Sequence, residues 1–546
     1  MASRNTKMEN ALSGTNQGQF SAFNNTVASI SSPACVRATG VASNAINTLY
    51  QNWACFMMGK NVTFTQSKLD LTVDMRQKAI EWFGQDEWRV RNNLSLSLGV
   101  RYSYFGPPYD RNGFLANFVP ELWKASDAPI VTGAGNRRAG SGNFCNGMIV
   151  NAQNVQTGPA AFNCRPTASP FGKYIYEANK HDFAPRVGLA WDPFKKGTTS
   201  VRLGYGIYHE QVSLSAAELL ALNPPFQETA TQLITSMDQP IPVGSAVPVV
   251  ASATPASIRA IQPNFLTPYM QHWSFDVQHQ LGSKTIFSVG YYGSKGTHLN
   301  GNTEYNDLPV GFAINSQCAT GTAALQDPGV TTTQCMTPGT ALTATPAIFD
   351  QIRPFRGYRS INVLETRYNS NYHSLQVAAQ HRLSGASQFN FAYTWSKNLT
   401  DNQTSSINHA PQDVNNIRAE YGRALLDRRH VVTFNYIYEL PFFSKQKGFV
   451  HTALGGWQVS GIASYYTGLP FTVTSSTYDT AGIGFIPAIV AGGRPKLLCD
   501  PNDNAPHTVD QWFNTECFVR RVGAETGDRP GNAGRNTIRG PGFAST

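Results

Sequence analysis

The sequence predicts an all-β chain: an antiparallel transmembrane β-barrel, here a partial barrel of about ten to twelve strands with long extracellular loops and short periplasmic turns. Three observations carry this. Strand-length segments alternate apolar and polar residues. The links between them alternate strictly between short and very long. Only 14% of the 546 residues are charged, against roughly 25% in ordinary soluble domains.

The clearest segment is Leu94–Phe105, LSLSLGVRYSYF. Leu94, Leu96, Leu98, Val100, Tyr102 and Tyr104 fall on one face; Ser95, Ser97, Gly99, Arg101 and Ser103 fall on the other. That period of two marks a strand with one greasy and one wet side. Its length matches the roughly 9–11 residues that cross a bilayer at a tilt near 45°. No run of about 20 apolar residues exists, so a spanning helix is excluded. The nearest stretch, 485–491, is too short and contains Pro487. The net charge of +9 is scattered through turns and loops, which reads as solvated surface charge and predicts no nucleic-acid partner.

Residues 1–79 form a loop-rich segment, abundant in Ser, Asn, Thr and Ala, whose one candidate strand is 69–73. The first ten residues, MASRNTKMEN, lack the apolar core of a signal peptide. Five hairpins follow across 80–474. The first, 80–105, sets Ile80, Trp82, Gly84, Asp86, Trp88 and Val90 on one face, then turns at Arg91-Asn92-Asn93. The second, 185–208, carries Val187, Leu189 and Trp191, turns over 192–198, and returns through Val201, Leu203, Tyr205 and Ile207. The third, 271–292, carries Trp273, Phe275 and Val277 against Ser274, Asp276 and Gln278, then Phe287, Val289 and Tyr291. In the fourth, 372–396, Leu375, Val377 and Ala379 precede a turn at 384–386 and the run Phe389, Phe391, Tyr393 and Trp395. The fifth, 430–466, sets Val432, Phe434, Tyr436 and Tyr438 before Trp457 and Val459. Residues 475–546 read as a further extracellular loop region.

Turns inside hairpins are short, whereas 106–182, 210–270, 294–371 and 397–429 are very long. Compact soluble domains link elements with about 4–6 residues; tight turns on one side and long loops on the other are the habit of outer-membrane barrels. Tyr102, Tyr104, Tyr291, Tyr292, Tyr393, Trp395, Tyr436, Tyr438, Tyr465 and Tyr466 lie near strand ends, where an aromatic girdle keeps rings at headgroup level.

The eight cysteines form four neighbouring couples: Cys35 with Cys55, Cys145 with Cys164, Cys318 with Cys335, and Cys499 with Cys517. Each couple sits within one long loop or flanking segment. We expect four local disulfides, hence an oxidising compartment. The polar N-terminus then implies a chain that starts inside a longer protein. No constellation supports enzyme chemistry, a metal site or a cofactor. Gly204-Tyr205-Gly206 reads as small residues on a crowded wall. His272 and His279 fall on opposite faces of one strand. Asp427-Arg428-Arg429-His430 reads as a solvated anchor at the membrane edge.

Several segments resemble one family. Residues 83–90 (FGQDEWRV), followed by LSLSLGVRY at 94–102, are similar to a hairpin of TonB-dependent outer-membrane receptors, most closely their Oar-like branch. The same holds for 183–191 (FAPRVGLAW), 372–383 (YHSLQVAAQHRL), 391–397 (FAYTWSK), 427–434 (DRRHVVTF) and 455–468 (GGWQVSGIASYYTG). The resemblance implies a large barrel with an N-terminal plug, energised by the TonB–ExbB–ExbD complex, in the outer membrane of a Gram-negative bacterium. Neither plug nor TonB box is visible, and the terminal residues GPGFAST lack a closing aromatic strand. The expectation is therefore an internal piece of the barrel wall. Its partners would be outer-membrane lipid, an extracellular ligand of unknown kind and, through the plug, TonB. Arg101, Arg186, Arg202, Asp276 and Asn390 are the lumen-facing candidates. The alternatives are a passive porin-like channel, or a soluble or surface β-rich adhesin.

Overall fold

A computed structural model describes residues 72–132, 135–138, 140–155, 163–226, 255–310, 349–383, 387–402, 411–442, 448–449, 455–474, 494–519 and 531–545, residues 50, 53, 54 and 57, and the backbone of strands at 2–10, 19–21, 62–67 and 229–234. The chain opens with β1 (Ala2–Asn10), β2 (Gln19–Ser21) and β3 (Val62–Ser67), then β4 (Thr72–Arg91) and β5 (Leu94–Phe105). Short strands β6 (Tyr109–Asp110), β7 (Ala116–Phe118), β8 (Met148–Val150) and β9 (Thr167–Ala168) precede the hairpin β10 (Phe183–Trp191) and β11 (Thr199–His209). Helix α1 (Leu214–Glu218), β12 (Thr229–Ile234) and β13 (Ala256–Ile261) lead to β14 (Tyr269–Leu281) and β15 (Thr285–Glu304). Helix α2 (Phe349–Ile352) precedes β16 (Tyr358–Arg382) and β17 (Gln388–Thr400); β18 (Gly422–Arg423) precedes β19 (His430–Glu439) and β20 (Gln458–Tyr466). The chain closes on β21 (Pro470–Phe471), β22 (Lys496–Leu497), β23 (Phe518–Val519), β24 (Ile538–Arg539) and β25 (Phe543–Ser545).

One sheet runs β1-β4-β5-β10-β11-β14-β15-β16-β17-β19-β20-β25, antiparallel at every step. All five predicted hairpins are present; β4 and the strands of the second, third and fourth hairpins extend past the predicted ends on the long-loop side, while β5 and the fifth hairpin stop where expected. A single register row joins Trp88, Leu96, Leu189, Leu203, Phe275, Tyr291, Leu375 and Trp395 across eight strands. The next row, on the other face, joins Ser97, Gly188, Gly204, Ser274, Tyr292, Ser374 and Ser396. A slip of one residue would invert every side chain, so the alternation itself pins this register. Leu98, Leu203, Phe275 and Trp395 are exposed by 43–50%. An apolar face this wide is stable only against something other than water.

Histidines mark the limits of that face. His279 Nδ1 lies 2.7 Å from Thr199 Oγ1 and His381 Nδ1 lies 2.8 Å from Thr285 Oγ1, on the short-turn side. On the other side, His373 Nδ1 lies 2.7 Å from Tyr291 Oη and His430 Nδ1 lies 2.9 Å from Tyr393 Oη. Each ring finds its partner on the adjacent strand, so none is left unpaired where water ends. From His279 to Gln271 the strand rises about 26 Å, which at a tilt near 40° spans roughly 20 Å of membrane normal, the scale of a barrel's apolar band. The girdle needs one correction. Register places Tyr291 and Tyr465 on the apolar face but Tyr292 and Tyr466 on the polar one. Adjacent residues of a strand point opposite ways.

The segment 1–79 also differs from expectation, since β1 pairs along Thr72–Ile80 of β4. Its sequence, ASRNTKMEN, has no alternation because it pairs only with the outer half of β4, where no apolar band demands one. The long connections are not loose either. They build a second core from Val73, Met75, Phe118, Met148, Leu220, Ile258, Ile261 and Tyr358, among others, all buried. β13 adds in parallel to the outer part of β16, and β7, β8 and β9 form their own small sheet.

Two buried asparagines stitch this cap together. Asn117 Nδ2 donates to the carbonyls of Ile175 (2.9 Å) and Ile261 (2.8 Å), and its Oδ1 accepts from Ile261 N. Asn223 Nδ2 donates to the carbonyls of Ala116 and Arg259, and its Oδ1 accepts from Arg259 N. The Cys145–Cys164 disulfide is buried in the same core, its Cα atoms 4.8 Å apart. Replacing both cysteines by serine should cost about 3 kcal/mol of cap stability, given a closed loop of this size. Urea denaturation of the purified protein under oxidising conditions measures it; an unshifted cap transition would refute the structural role.

Candidate functional site

The polar face carries a trough of about 570 Å³, lined by Arg186, Tyr208, His272, Tyr292 and Tyr372 among others. Sequence shapes it directly. Gly188, Gly204 and Gly206 on β10 and β11 leave the wall without side chains. Rings then lie flat over neighbouring glycines. A Cβ at Gly206 would meet the Tyr208 ring at 3.1 Å, and one at Gly290 would meet Tyr292 at 2.6 Å. This glycine–aromatic stacking holds each ring along the wall, so the rings border the recess without filling it. The Arg186 guanidinium sits 4.7 Å from the Tyr208 ring centroid, a cation–π contact that aims its charge along the wall. His272 stacks edge-on against the same tyrosine at 5.4 Å.

The five candidate residues all fall on this polar face, but only Arg186 lines the trough. Arg202 and Asp276 are register partners across β11 and β14, one polar step nearer the short turns. Arg101 is neutralised by Glu81 at 2.7 Å, and Glu81 also accepts from Ser103 Oγ. Asn390 donates to Asn435 Oδ1 at 2.7 Å, far along the sheet. As trough residues, Tyr208 and Tyr372 escape the sequence reading, while Tyr292 is placed in the girdle and His272 is read as an ordinary strand histidine. The spacing Gly-x-Tyr at 206–208 and again at 290–292 is the signal that would have found two of them.

A second polar centre organises the C-terminal region. Glu420, on the connection after β17, receives both terminal nitrogens of Arg494 at 2.9 Å and Arg535 Nε at 2.5 Å. Its carboxylate also accepts from Gln412 N. Burial works to raise its pKa, but the guanidiniums of Arg535 and Arg494 win and hold it down to about 2. Segments 494–519 and 531–545 thereby fold back on the sheet, and Cys499 and Cys517 form a disulfide within them. Cys35, Cys55, Cys318 and Cys335 lie outside the described residues. Among the described residues no helix is long and apolar enough to cross a membrane.

A twisted antiparallel wall with one apolar face, one wet face and a folded outer cap defines a membrane β-barrel protein. The chain belongs to the outer membrane beta barrel domain family, whose model matches residues 2–546, and so resides in the outer membrane of a Gram-negative bacterium. No curated protein matches it. Among solved structures it is similar to FpvA of P. aeruginosa, solved with heterologous pyoverdines (10% identity, covering 74% of this chain and 30% of that one, TM-score 0.32). It is also similar to the copper transporter OprC (11%, 74% and 40%, 0.29) and to the outer membrane transporter YddB from Escherichia coli (8%, 74% and 52%, 0.30). The chain thus spans between 30% and 52% of the length of these three proteins.

Membership turns the apolar face into a lipid face, with a measurable consequence. Leu98→Arg in the full-length protein should destabilise folding in lipid by about 2–4 kcal/mol if the site is near the midplane. Urea titration in phospholipid vesicles reads this directly, and an unchanged midpoint would reject the lipid contact.

Proposed function

We propose that this chain is the wall and extracellular cap of an active outer-membrane transporter or receptor of the TonB-dependent, Oar-like kind. The observation that supports it most is the Arg186–Tyr208–His272 trough, on strands whose outer ends carry a folded cap. On this reading residues 80–474 cross the membrane, 1–79 lead into the barrel and 475–546 stay outside. Arg101, Arg186, Arg202, Asp276 and Asn390 face a wet lumen. The lower edges of β4 and β20 carry no partner strand among the described residues. Lipid satisfies no backbone group, so further strands complete the ring in the parent protein. A plug couples it to TonB–ExbB–ExbD.

A cation flanked by rings suits an anionic or ring-bearing solute. Labelled iron chelates, cobalamin, oligosaccharides and peptides should be offered to cells making the full-length protein. One class should bind and enter, and entry should stop with a protonophore while surface binding persists. Entry that ignores the protonophore would indicate a passive channel instead. Arg186→Ala should weaken binding of that ligand by about tenfold, the worth of one charged hydrogen bond, with unchanged heat-modifiable gel mobility. Unaltered affinity would remove Arg186 from the site.

A further inference from the structure

The outer rim of the lipid face holds a cluster of cations that the transport reading does not use. Along β17, Trp395, Lys397 and Leu399 follow one another on the apolar side, and Arg423 of β18 is the register partner of Leu399. Lys397 stands about 5 Å farther out than the Trp395 ring, at the height of lipid headgroups. With Arg429 these residues border an open cavity of about 720 Å³, closed on its far side by Leu497, Leu498 and Asp500.

The charges are out of balance. No carboxylate lies within ion-pair distance of Lys397, Arg423 or Arg429 among the described residues. Two of the carboxylates nearby are paired: Asp427 holds Arg539 at 3.0 Å and Glu420 is bound by Arg494 and Arg535. Asp500, on the cavity's far wall, accepts from Asn502 N and Nδ2 and keeps its charge, so three cations face one carboxylate. Burial, with Arg539 and Arg429 close by, works against the charge on Arg423 and outweighs the support it draws from Asp427. Gathering like charges beside Leu399, Leu497 and Leu498 is unfavourable unless an anion joins them. The surrounding surface is greasy as well: Trp395 is exposed below, and Tyr421 above, its hydroxyl accepting from Asn371 Nδ2.

We propose that this cavity binds the phosphate of a phosphorylated glycolipid headgroup in the outer leaflet, Lys397, Arg423 and Arg429 supplying the charge and the leucines meeting the first acyl carbons. Guanidiniums match phosphate oxygens in paired geometry, and a lipid delivers that phosphate at the height where Lys397 sits.

Native mass spectrometry of the full-length protein in detergent tests this, with three probes: the intact phosphorylated glycolipid, its dephosphorylated form and inorganic phosphate. The wild type should retain the intact lipid. The variant K397Q/R423Q/R429Q should bind it at least tenfold more weakly, and Lys196→Gln, at a short turn on the opposite rim, should bind as the wild type does. Removing phosphate from the lipid should produce the same loss as the triple variant. If that variant misfolds on a heat-modifiability gel, Lys397→Gln alone, an exposed change, should still lower retention at least threefold. Equal binding by wild type and variants, or by both lipid forms, overturns the proposal. Inorganic phosphate competing at concentrations similar to the lipid overturns the lipid assignment.

Discussion

Glu420→Ala should release the C-terminal half of the cap at a cost of about 3–5 kcal/mol, because removing one member of a buried ion group strands the others. Arg494 and Arg535 have side chains only 3% and 5% exposed, and each points its guanidinium at this one carboxylate. Without it, two positive charges remain in a dry site and repel each other. Limited proteolysis within 494–519 should accelerate markedly in the variant while the strands keep their heat-modifiable mobility. Equal proteolysis of both proteins would show that the triad holds nothing in place. The pH dependence has a fixed sign. Glu420 has a folded-state pKa of about 2, below the roughly 4.3 of an unfolded glutamate. Its stabilisation is complete above the unfolded value and is lost as pH falls through the folded one. The gap between wild type and variant should narrow between about pH 4 and pH 2.

Phe118→Ala should cost the cap another 3–5 kcal/mol or so. The ring is 1% exposed and packs edge-on against Phe355 at 5.2 Å and Tyr358 at 5.5 Å. Gly147 passes directly beneath it at φ +83°, where a Cβ would meet the ring at 2.7 Å. Backbone this close has little room to collapse into the hole, so the cavity persists. Hydrogen exchange should rise at β7, β8 and β13 and stay unchanged along β14 and β15. Exchange rising equally in both regions would mean that cap and wall unfold as one unit.

How much of this was legible in the sequence varies with the physics of each part. The wall strands were, because an apolar environment on one side and water on the other impose a two-residue period, and the alternation of short and very long links sets this sheet apart from a soluble one. Their outer extensions were not: β16 begins at Tyr358, well before the predicted 372, because there it pairs with β13 and the outer end of β15, above the band where lipid imposes alternation. The cap was unreadable for the same reason. Phe118, Leu220, Ile258 and Tyr358 meet in one core from three separate connections, and irregular segments carry no period to expose their inner side. Nothing in the sequence around Asn117 or Asn223 marks the buried carbonyls that each amide meets in the cap.

The candidate site divides in the same way. Arg186 has the parity of the polar face, opposite to Val187, Leu189 and Trp191, and that parity is legible in the sequence. Tyr292 was misplaced because aromatic type alone does not say which face a residue takes; its register partner Ser274 does. Glu420, Arg494 and Arg535 lie up to 115 residues apart, and no spacing rule joins them.

Composition, alternation and link lengths by themselves determined a sheet that must face lipid on one side, because burial in two unlike solvents is written residue by residue along each strand. Which loops pack together, where Arg186 finds its rings and which carboxylate neutralises which arginine were decided only by the tertiary structure. Those contacts depend on through-space distances between segments that the chain order leaves free.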